Sequence, residues 1–345
     1  MAYITFQPHD HFKTLLYVGN GSDGHSVTGV GFKPDFVWTK NRDHAADNYI
    51  HDIVRGVEKA IRTNNNSATY DTSINLQSFD SDGFTLGTQD GLNKNGDNIV
   101  SWNWLAGGSQ GSSNTDGSIN TTYTSVNTTS GFSISTYTGT GSNATIGHGL
   151  GAVPQVVICK RLNSTGNWIS YFKEVGEARY LYLDTTDAFT TNSTVWNDTA
   201  PTNQVFSVGT ASNCNSSGGT YVAYCFAEKK GFSKFGGYTG NNNVDGNFIY
   251  LGFKPAWFLV KNTGSGSESW HLYDSKRLGY NPAHARLYPN LSNVEAAETK
   301  LDFVSNGVKI RSAGDGHLNS SSTFIYMAFA EEPLVSSNNV PATAR

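Results

Sequence analysis

Tyr17-Val-Gly-Asn-Gly-Ser-Asp-Gly24 and, a few residues on, Thr28-Gly-Val-Gly-Phe-Lys-Pro-Asp-Phe-Val-Trp-Thr-Lys40 form the stretch that decides the fold, because its markers occur three times. Tyr17, Gly19, Pro34 and Lys40 recur as Tyr137, Gly139, Pro154 and Lys160, and again as Tyr238, Gly240, Pro255 and Lys261. In every copy Tyr to Pro is 17 residues and Tyr to Lys is 23, and the copies are 120 and 101 residues apart. Markers that keep one register through three copies point to one structural unit used three times.

The likeness extends beyond the cassette. Phe12, Phe132 and Phe232 stand 5, 5 and 6 residues before the cassette Tyr. Downstream come Gly-bearing apolar segments that read as hairpins or strands, Phe79 to Gly87, Val205 to Gly209 and Phe303 to Ile310. Each copy closes on an alternating aromatic segment: 99–104, 221–226 or 324–329. A unit of about 100 residues suits a β-sandwich and exceeds a propeller blade or solenoid coil.

Composition agrees. Charged residues are 15% and aromatics 12% of the 345 residues, with abundant Gly, Ser, Thr and Asn, the mixture of strands joined by polar turns. The pro-helical stretches are Asp52 to Arg62, weakened by Gly56, and Asn293 to Leu301. Elsewhere the period is two, as in Phe36-Val-Trp, Val156-Val-Ile-Cys and Trp257-Phe-Leu-Val. The sequence therefore predicts an all-β protein of three tandem antiparallel β-sandwich modules, jelly-roll or lectin-like. Their expected bounds are 1–106 with an N-terminal arm, 131–230 and 231–332. A Gly/Ser/Thr/Asn-rich linker, 107–130, has room for one edge strand, and 333–345 is a tail that is free or docks a partner.

Several partners are disfavoured. The formal net charge is −4 with scattered Lys and Arg, so no basic stripe is available for phosphates, and no nucleic-acid binding is expected. No apolar run reaches the ~20 residues of a membrane span. The first residues lack the pattern of a signal peptide, which predicts folding in a cytoplasm. Three cysteines, Cys159, Cys214 and Cys225, read as buried thiols rather than a disulfide framework or zinc site.

The quoted cassette, with Asp52-Ile-Val-Arg-Gly56, Ser78-Phe-Asp-Ser-Asp-Gly-Phe-Thr-Leu-Gly87 and Ser101-Trp-Asn-Trp-Leu-Ala-Gly-Gly108, resembles a repeated module of virion and tail-fibre proteins of bacteriophages of marine bacteria and cyanobacteria. Gly131-Phe-Ser-Ile-Ser-Thr-Tyr-Thr-Gly-Thr-Gly with Ile146-Gly-His-Gly-Leu-Gly151 resembles the second module of such proteins. The resemblance covers about two thirds of the chain, and the third copy departs from it with Gly-Asn-Asn-Asn in the turn. It implies a virion component made in the host cytoplasm, most naturally in a tail fibre or other appendage, in contact with other virion proteins and assembled as a homo-oligomer. It supplies no catalytic residues.

A glycan depolymerase needs two carboxylates about 5 to 10 Å apart. Asp80 with Asp82, or Glu174 with Glu177, are the pairs on offer, and Asp80-Ser-Asp-Gly83 is more simply a hairpin turn. Read as a calcium loop, that turn lacks the remaining acidic ligands. His9 and His11 would share one face of a strand but lack a third ligand. Glu228 and Glu331, at equivalent ends of copies two and three, suit a structural ion pair or cap. No nucleophile elbow, phosphate loop or dinucleotide fingerprint is present. The expectation is no catalytic residue, no metal and no cofactor. Binding is the positive alternative: Trp168, Trp196 and Trp270 lie in polar surroundings and are candidate platforms for a host-surface glycan or protein, while Trp38, Trp102 and Trp104 read as core. Tyr49, Trp168 and Trp270 follow their cassette Tyr by 32, 31 and 32 residues, which argues instead for a shared packing role. The leading expectation is a non-enzymatic phage structural protein. A carbohydrate-binding adhesin is the alternative, ahead of a capsid-decoration protein or a glycan depolymerase.

Overall fold

A computed structural model describes residues 7–277, 281 and 284–332. Strand takes up 42% of it and helix 5%, which fixes the all-β class. No helix among the described residues is long and apolar enough to cross a membrane.

The first copy holds β1 (Phe12–Val18), β2 (His25–Thr28), β3 (Phe36–Asn41), β4 (Asn48–Asp52), β5 (Lys59–Arg62), β6 (Tyr70–Asp71), β7 (Leu76–Asp80), β8 (Gly83–Leu86) and β9 (Asn98–Trp104). The second holds β10 (Tyr123–Asn127), β11 (Phe132–Thr138), β12 (Ala144–Gly147), β13 (Val156–Arg161), β14 (Ile169–Phe172), β15 (Arg179–Tyr182), β16 (Thr190–Thr191), β17 (Val205–Val208) and β18 (Thr220–Phe226). The third holds β19 (Ser233–Thr239), β20 (Phe248–Tyr250), β21 (Trp257–Asn262), β22 (His271–Asp274), β23 (His284–Arg286), β24 (Ala296–Glu298), β25 (Leu301–Val304), β26 (Gly307–Ile310) and β27 (Thr323–Phe329).

Each copy makes one large and one small antiparallel sheet, and the third adds the two-stranded β23-β24. The large sheets run β1-β9-β3-β4-β5-β6, β10-β11-β18-β13-β14-β15-β16 and β19-β27-β21-β22. The small ones run β2-β8-β7, β12-β17 and β20-β26-β25. The register repeats to the residue. The cassette Tyr faces Ile99, Tyr221 or Phe324 on the closing strand, and the cassette Lys faces Val100, Val222 or Ile325.

Six consecutive buried residues in β3 and in β21 are explained by what lies on either side of the sheet. Val37, Val157 with Cys159, and Phe258 with Val260 point toward their own copy's small sheet, in three separate cores. Phe36 with Trp38, Val156 with Ile158, and Trp257 with Leu259 point the other way, into one core built by all three copies. The strand period of two thus sorts side chains between a local and a shared core. Around a central void of about 20 Å³ stand Trp38, Trp104, Ile158, Tyr224, Trp257 and Met327. Aromatic rings meet there edge to face, Trp104 on Trp257 at 5.6 Å and Phe36 on Tyr224 at 5.0 Å.

Two helical expectations fail. At Asp52 the carboxylate accepts from Val54 N and Arg55 N, Gly56 adopts φ +92°, and the chain turns into β5 rather than into a helix. Residues 293–301 carry β24 and the start of β25, because Glu295 is held across a seam and Leu301 is drawn into the third local core. The hairpin expected at 79–87 is β7 with β8. In 107–130, Gly108 N donates to Asp35 of the first copy, and then β10 pairs with β11 and Ile119 bridges Ile146, so the rest of the segment lies against the second copy. The expected tail, 333–345, and residues 1–6 of the expected arm fall outside the described residues.

Candidate functional site

The cassette's own residues come first. Tyr17, Tyr137 and Tyr238 donate their hydroxyls to Leu92 O, Cys214 O and Leu318 O at 2.7–2.8 Å. The next residue in each case is a buried Asn, Asn93, Asn215 or Asn319. Its carbonyl oxygen accepts from the backbone of the cassette turn, at Asn20, Thr140 and both Asn241 and Asn242. Its amide donates to Ser22 O and Gly87 O, to Ser142 O and Gly209 O, or to Asn243 O and Ser312 O. The cassette Gly is where the two loops meet: a Cβ there would lie 2.3 Å from Lys94 O, 2.5 Å from Ser216 O or 1.9 Å from Ser320 O. Tyr, Gly and Asn therefore form a clasp that closes the end of each large sheet. The Asn was not singled out in the sequence, although it stands 6, 6 and 5 residues before the strand position opposite the cassette Tyr.

The cassette Lys acts between copies. Lys40, Lys160 and Lys261 are fully buried, and each ammonium donates to backbone carbonyls. Lys40 reaches Ser292 O of the third copy (3.0 Å), Lys160 reaches Asn66 O of the first (3.2 Å), and Lys261 reaches Thr186 O of the second (3.2 Å). Burial pulls each of them down from 10.5 to about 8.

The same cyclic order governs the residue at the start of the fourth strand. Trp168 Nε1 donates to Arg62 O at 2.8 Å and Trp270 Nε1 to Tyr182 O at 2.9 Å, while Asn48, in the matching place, donates to Tyr288 O and Leu291 O. Strand register thus matches the two tryptophans to Asn48, one place before Tyr49. Backbone bonds repeat the order: Thr69 N to Leu162 O, Phe189 N to Thr263 O and Glu295 N to Arg42 O. Two further links cross the shared core, Tyr224 Oη to Asp52 at 2.7 Å and Trp102 Nε1 to Asp274 at 3.0 Å. Asp52 and Asp274 are each paired with the arginine three residues on, Arg55 and Arg277, all four with side chains at most 3% exposed. The second copy carries Phe172 at that strand position, and Met327 stands where the other copies have Trp102 and Tyr224, so this link is apolar there. First to third, second to first and third to second, one seam is used three times and closes a ring.

The expected surface platforms are in these seams or cores. Trp168 is 0%, Trp196 2% and Trp270 1% exposed, which corrects their reading as ligand-binding rings. Trp196 packs on Tyr171 within the second local core, at the end of a single helical turn capped by Asn192. Polar neighbours misled because the cover over Trp168 and Trp270 comes from another copy. His9 lies in a 3-10 turn, Pro8–Asp10, rather than on a strand, and His11 meets Asn127 at 3.2 Å. Asp80 accepts from Ser78 and Thr85 within its own hairpin, and Asp82 accepts from Gly29 N and Gly31 N and so ties that turn to the loop after β2. Glu331 pairs with Lys13 and Lys276. All three cysteines are free and buried, their thiols pushed up by burial, Cys159 to about 12. Among the described residues no group of three or more His, Cys, Asp or Glu is placed to hold a metal ion.

Two surface grooves follow the seams. One, of about 350 Å³, lies between the first and second copies, lined by Lys59, Thr69, Tyr123, Thr136, Leu162 and Asn163 among others. The second, of about 330 Å³, lies between the second and third, with Arg179, Phe189, Gly237 and Thr263 in the positions of Lys59, Thr69, Thr136 and Leu162. Glu174 lines it and Glu177 does not. In the first, Tyr123 is 38% exposed; in the second, the Arg179 guanidinium lies 4.3 Å from the Phe189 ring centre. At the third seam the matching residues are Arg42 and Glu295, joined by two hydrogen bonds of 2.8 and 2.7 Å and reinforced by Arg277.

The fold and its seams define an all-β protein of three repeats closed around a shared core. Residues 7–333 match the family described as "Domain of unknown function (DUF7483)", and the chain belongs to that family. Neither a curated protein nor a solved structure matches it.

Proposed function

We propose that the chain is a non-enzymatic structural protein of a bacteriophage virion, a component of a tail fibre or other appendage. Its three copies act as β-sandwich modules of jelly-roll or lectin type, with bounds near 1–106, 131–230 and 231–332. The observation that carries this reading is the cyclic seam: the buried lysines, Asp–Arg pairs and seam tryptophans all hold one copy to the next. Side chains so engaged serve shape, and the cassette's resemblance to phage virion modules gives that shape a setting. Partners in this reading are other virion proteins and further copies of the chain. Mass spectrometry and labelled electron microscopy of purified particles test it: the protein on an external appendage is the expected result, and its absence from particles contradicts the reading.

The two grooves favour a second reading, a receptor-binding adhesin that takes a host glycan. Both offer hydroxyls and, at matching positions, a cation, Lys59 or Arg179, together with an aromatic side chain, Tyr123 in one and Phe189 in the other, as sugar sites do. A glycan array with the intact chain separates the two readings. Saturable binding lost in both Tyr123→Ala and Phe189→Ala supports the adhesin, and no binding at any concentration removes it.

A further inference from the structure

The segment 107–130 shows how a strand is added to one of these repeats. β10 pairs with the edge strand β11 from Tyr123 opposite Thr136 to Asn127 opposite Phe132. Just before it, Ile119 bridges Ile146 of β12, and Ser118 and Thr145 exchange hydrogen bonds at 2.9 Å. One extended segment thus covers the edges of both sheets of the second copy, and Ile119 is buried by it.

In the third copy β19 ends the large sheet and β20 ends the small one, and among the described residues no strand lies outside either. This side also carries side chains that the fold does not ask for. Phe248 is 48%, Tyr250 58% and Val244 69% exposed. Register sets Phe248 and Tyr250 against Ser26 and Thr28 in the first copy, and against Thr145 and Gly147 in the second. Two copies fold with small residues there, so the aromatics of the third are not needed for packing. Their rings are 6.5 Å apart, and Lys234 of β19 sits 5.2 Å from the Tyr250 ring centre, joining the two open edges.

We propose that this side of the third copy binds an extended polypeptide segment of another protein, laid along β19 and β20 as residues 112–127 lie along β11 and β12. Unpaired strand edges call for a backbone partner, which a sugar does not provide. The bound segment is built of small polar residues, like the segment that serves the second copy, with an apolar side chain beside Ile249 as Ile119 sits beside Ile146, and its neighbouring side chains against the outward rings of Phe248 and Tyr250. The inference does not depend on placement in a virion.

The test uses the full chain and a fluorescent peptide of residues 112–127 as probe. Expected are saturable binding of one peptide per chain and slowed amide exchange confined to 233–239 and 248–250. Affinity falls at least about tenfold when Phe248→Ser and Tyr250→Thr are combined, while the melting temperature stays within about 2 °C because both side chains are exposed. No saturable binding at millimolar peptide overturns the proposal, as does binding that the double variant leaves unchanged. Two results would show the edges to be already covered, by the chain itself or by a second copy. They are protection, in the free chain, of the amides of both strands that face away from β27 and β26, and a concentration-dependent dimer that the double variant dissolves. Either overturns it as well.

Discussion

Lys160 gives the residue scale its sharpest case. A cation enclosed by Asn66 O, Arg161 O and Gly166 O is fully bonded and yet held down to about 8 by burial. The folded chain releases this proton before the unfolded chain does, so its contribution to stability rises as pH climbs from about 8 toward 10.5. Lys160→Met leaves three carbonyls without this donor and is expected to cost about 2–3 kcal/mol at neutral pH. The gap to the parent then widens by about 2 kcal/mol between pH 7.5 and 9.5, since only the parent sheds the charge penalty. Denaturant melts at both pH values check it, and a gap that stays constant contradicts a buried ammonium. Asp184 supplies the opposite sign. It accepts from Trp168 N, is raised from 3.8 to about 6 by burial, and occupies the place held by Asn64 and Asn290, which accept from Asn48 N and Trp270 N. The folded chain takes up this proton first, so stability is gained as pH falls from about 6 toward 4 and is missing above 6. Asp184→Asn should stabilise by about 1–2 kcal/mol at pH 7.5 and make no difference near pH 4. Thermal melts across that range decide it.

The clasp is the unit at the scale of elements, and it makes glycines unequal. Gly240→Ala would set a Cβ 1.9 Å from Ser320 O, so backbone must move, at an expected cost of more than about 2 kcal/mol. Gly151, at φ +66° with nothing within 4 Å, should lose only about 1 kcal/mol as Ala. Equal losses would mean that close approach is not what the cassette Gly provides. Strands, hairpins and the repeated register were legible because Tyr, Gly, Pro and Lys keep fixed spacing and apolar residues alternate around them. The Asn of the clasp escaped notice, being one Asn in polar loops full of them. The helix expected at 52–62 failed because Asp52 and Arg55 make a buried turn instead.

At the scale of the whole molecule, a head-to-tail contact repeated three times has closed, which is how ring oligomers are built from separate chains. Here the ring is covalent, and its bonds imitate a trimer with two open grooves and a third seam locked by Arg42, Glu295 and Arg277. A sequence read one repeat at a time gives no sign of a face covered by another repeat. For that reason Trp168 and Trp270 looked like platforms. Opening one seam should loosen the others: Trp270→Ala, with an expected cost of about 3–5 kcal/mol, should speed amide exchange in β3 and β13 as well as in β21. Acceleration confined to the third copy would mean that the shared core does not couple the repeats. Calorimetry of the intact chain is the most direct measurement of that coupling. A ring with one core predicts a single transition whose calorimetric and van't Hoff enthalpies agree, whereas two or three separable transitions, each with the enthalpy of about 100 residues, would contradict it.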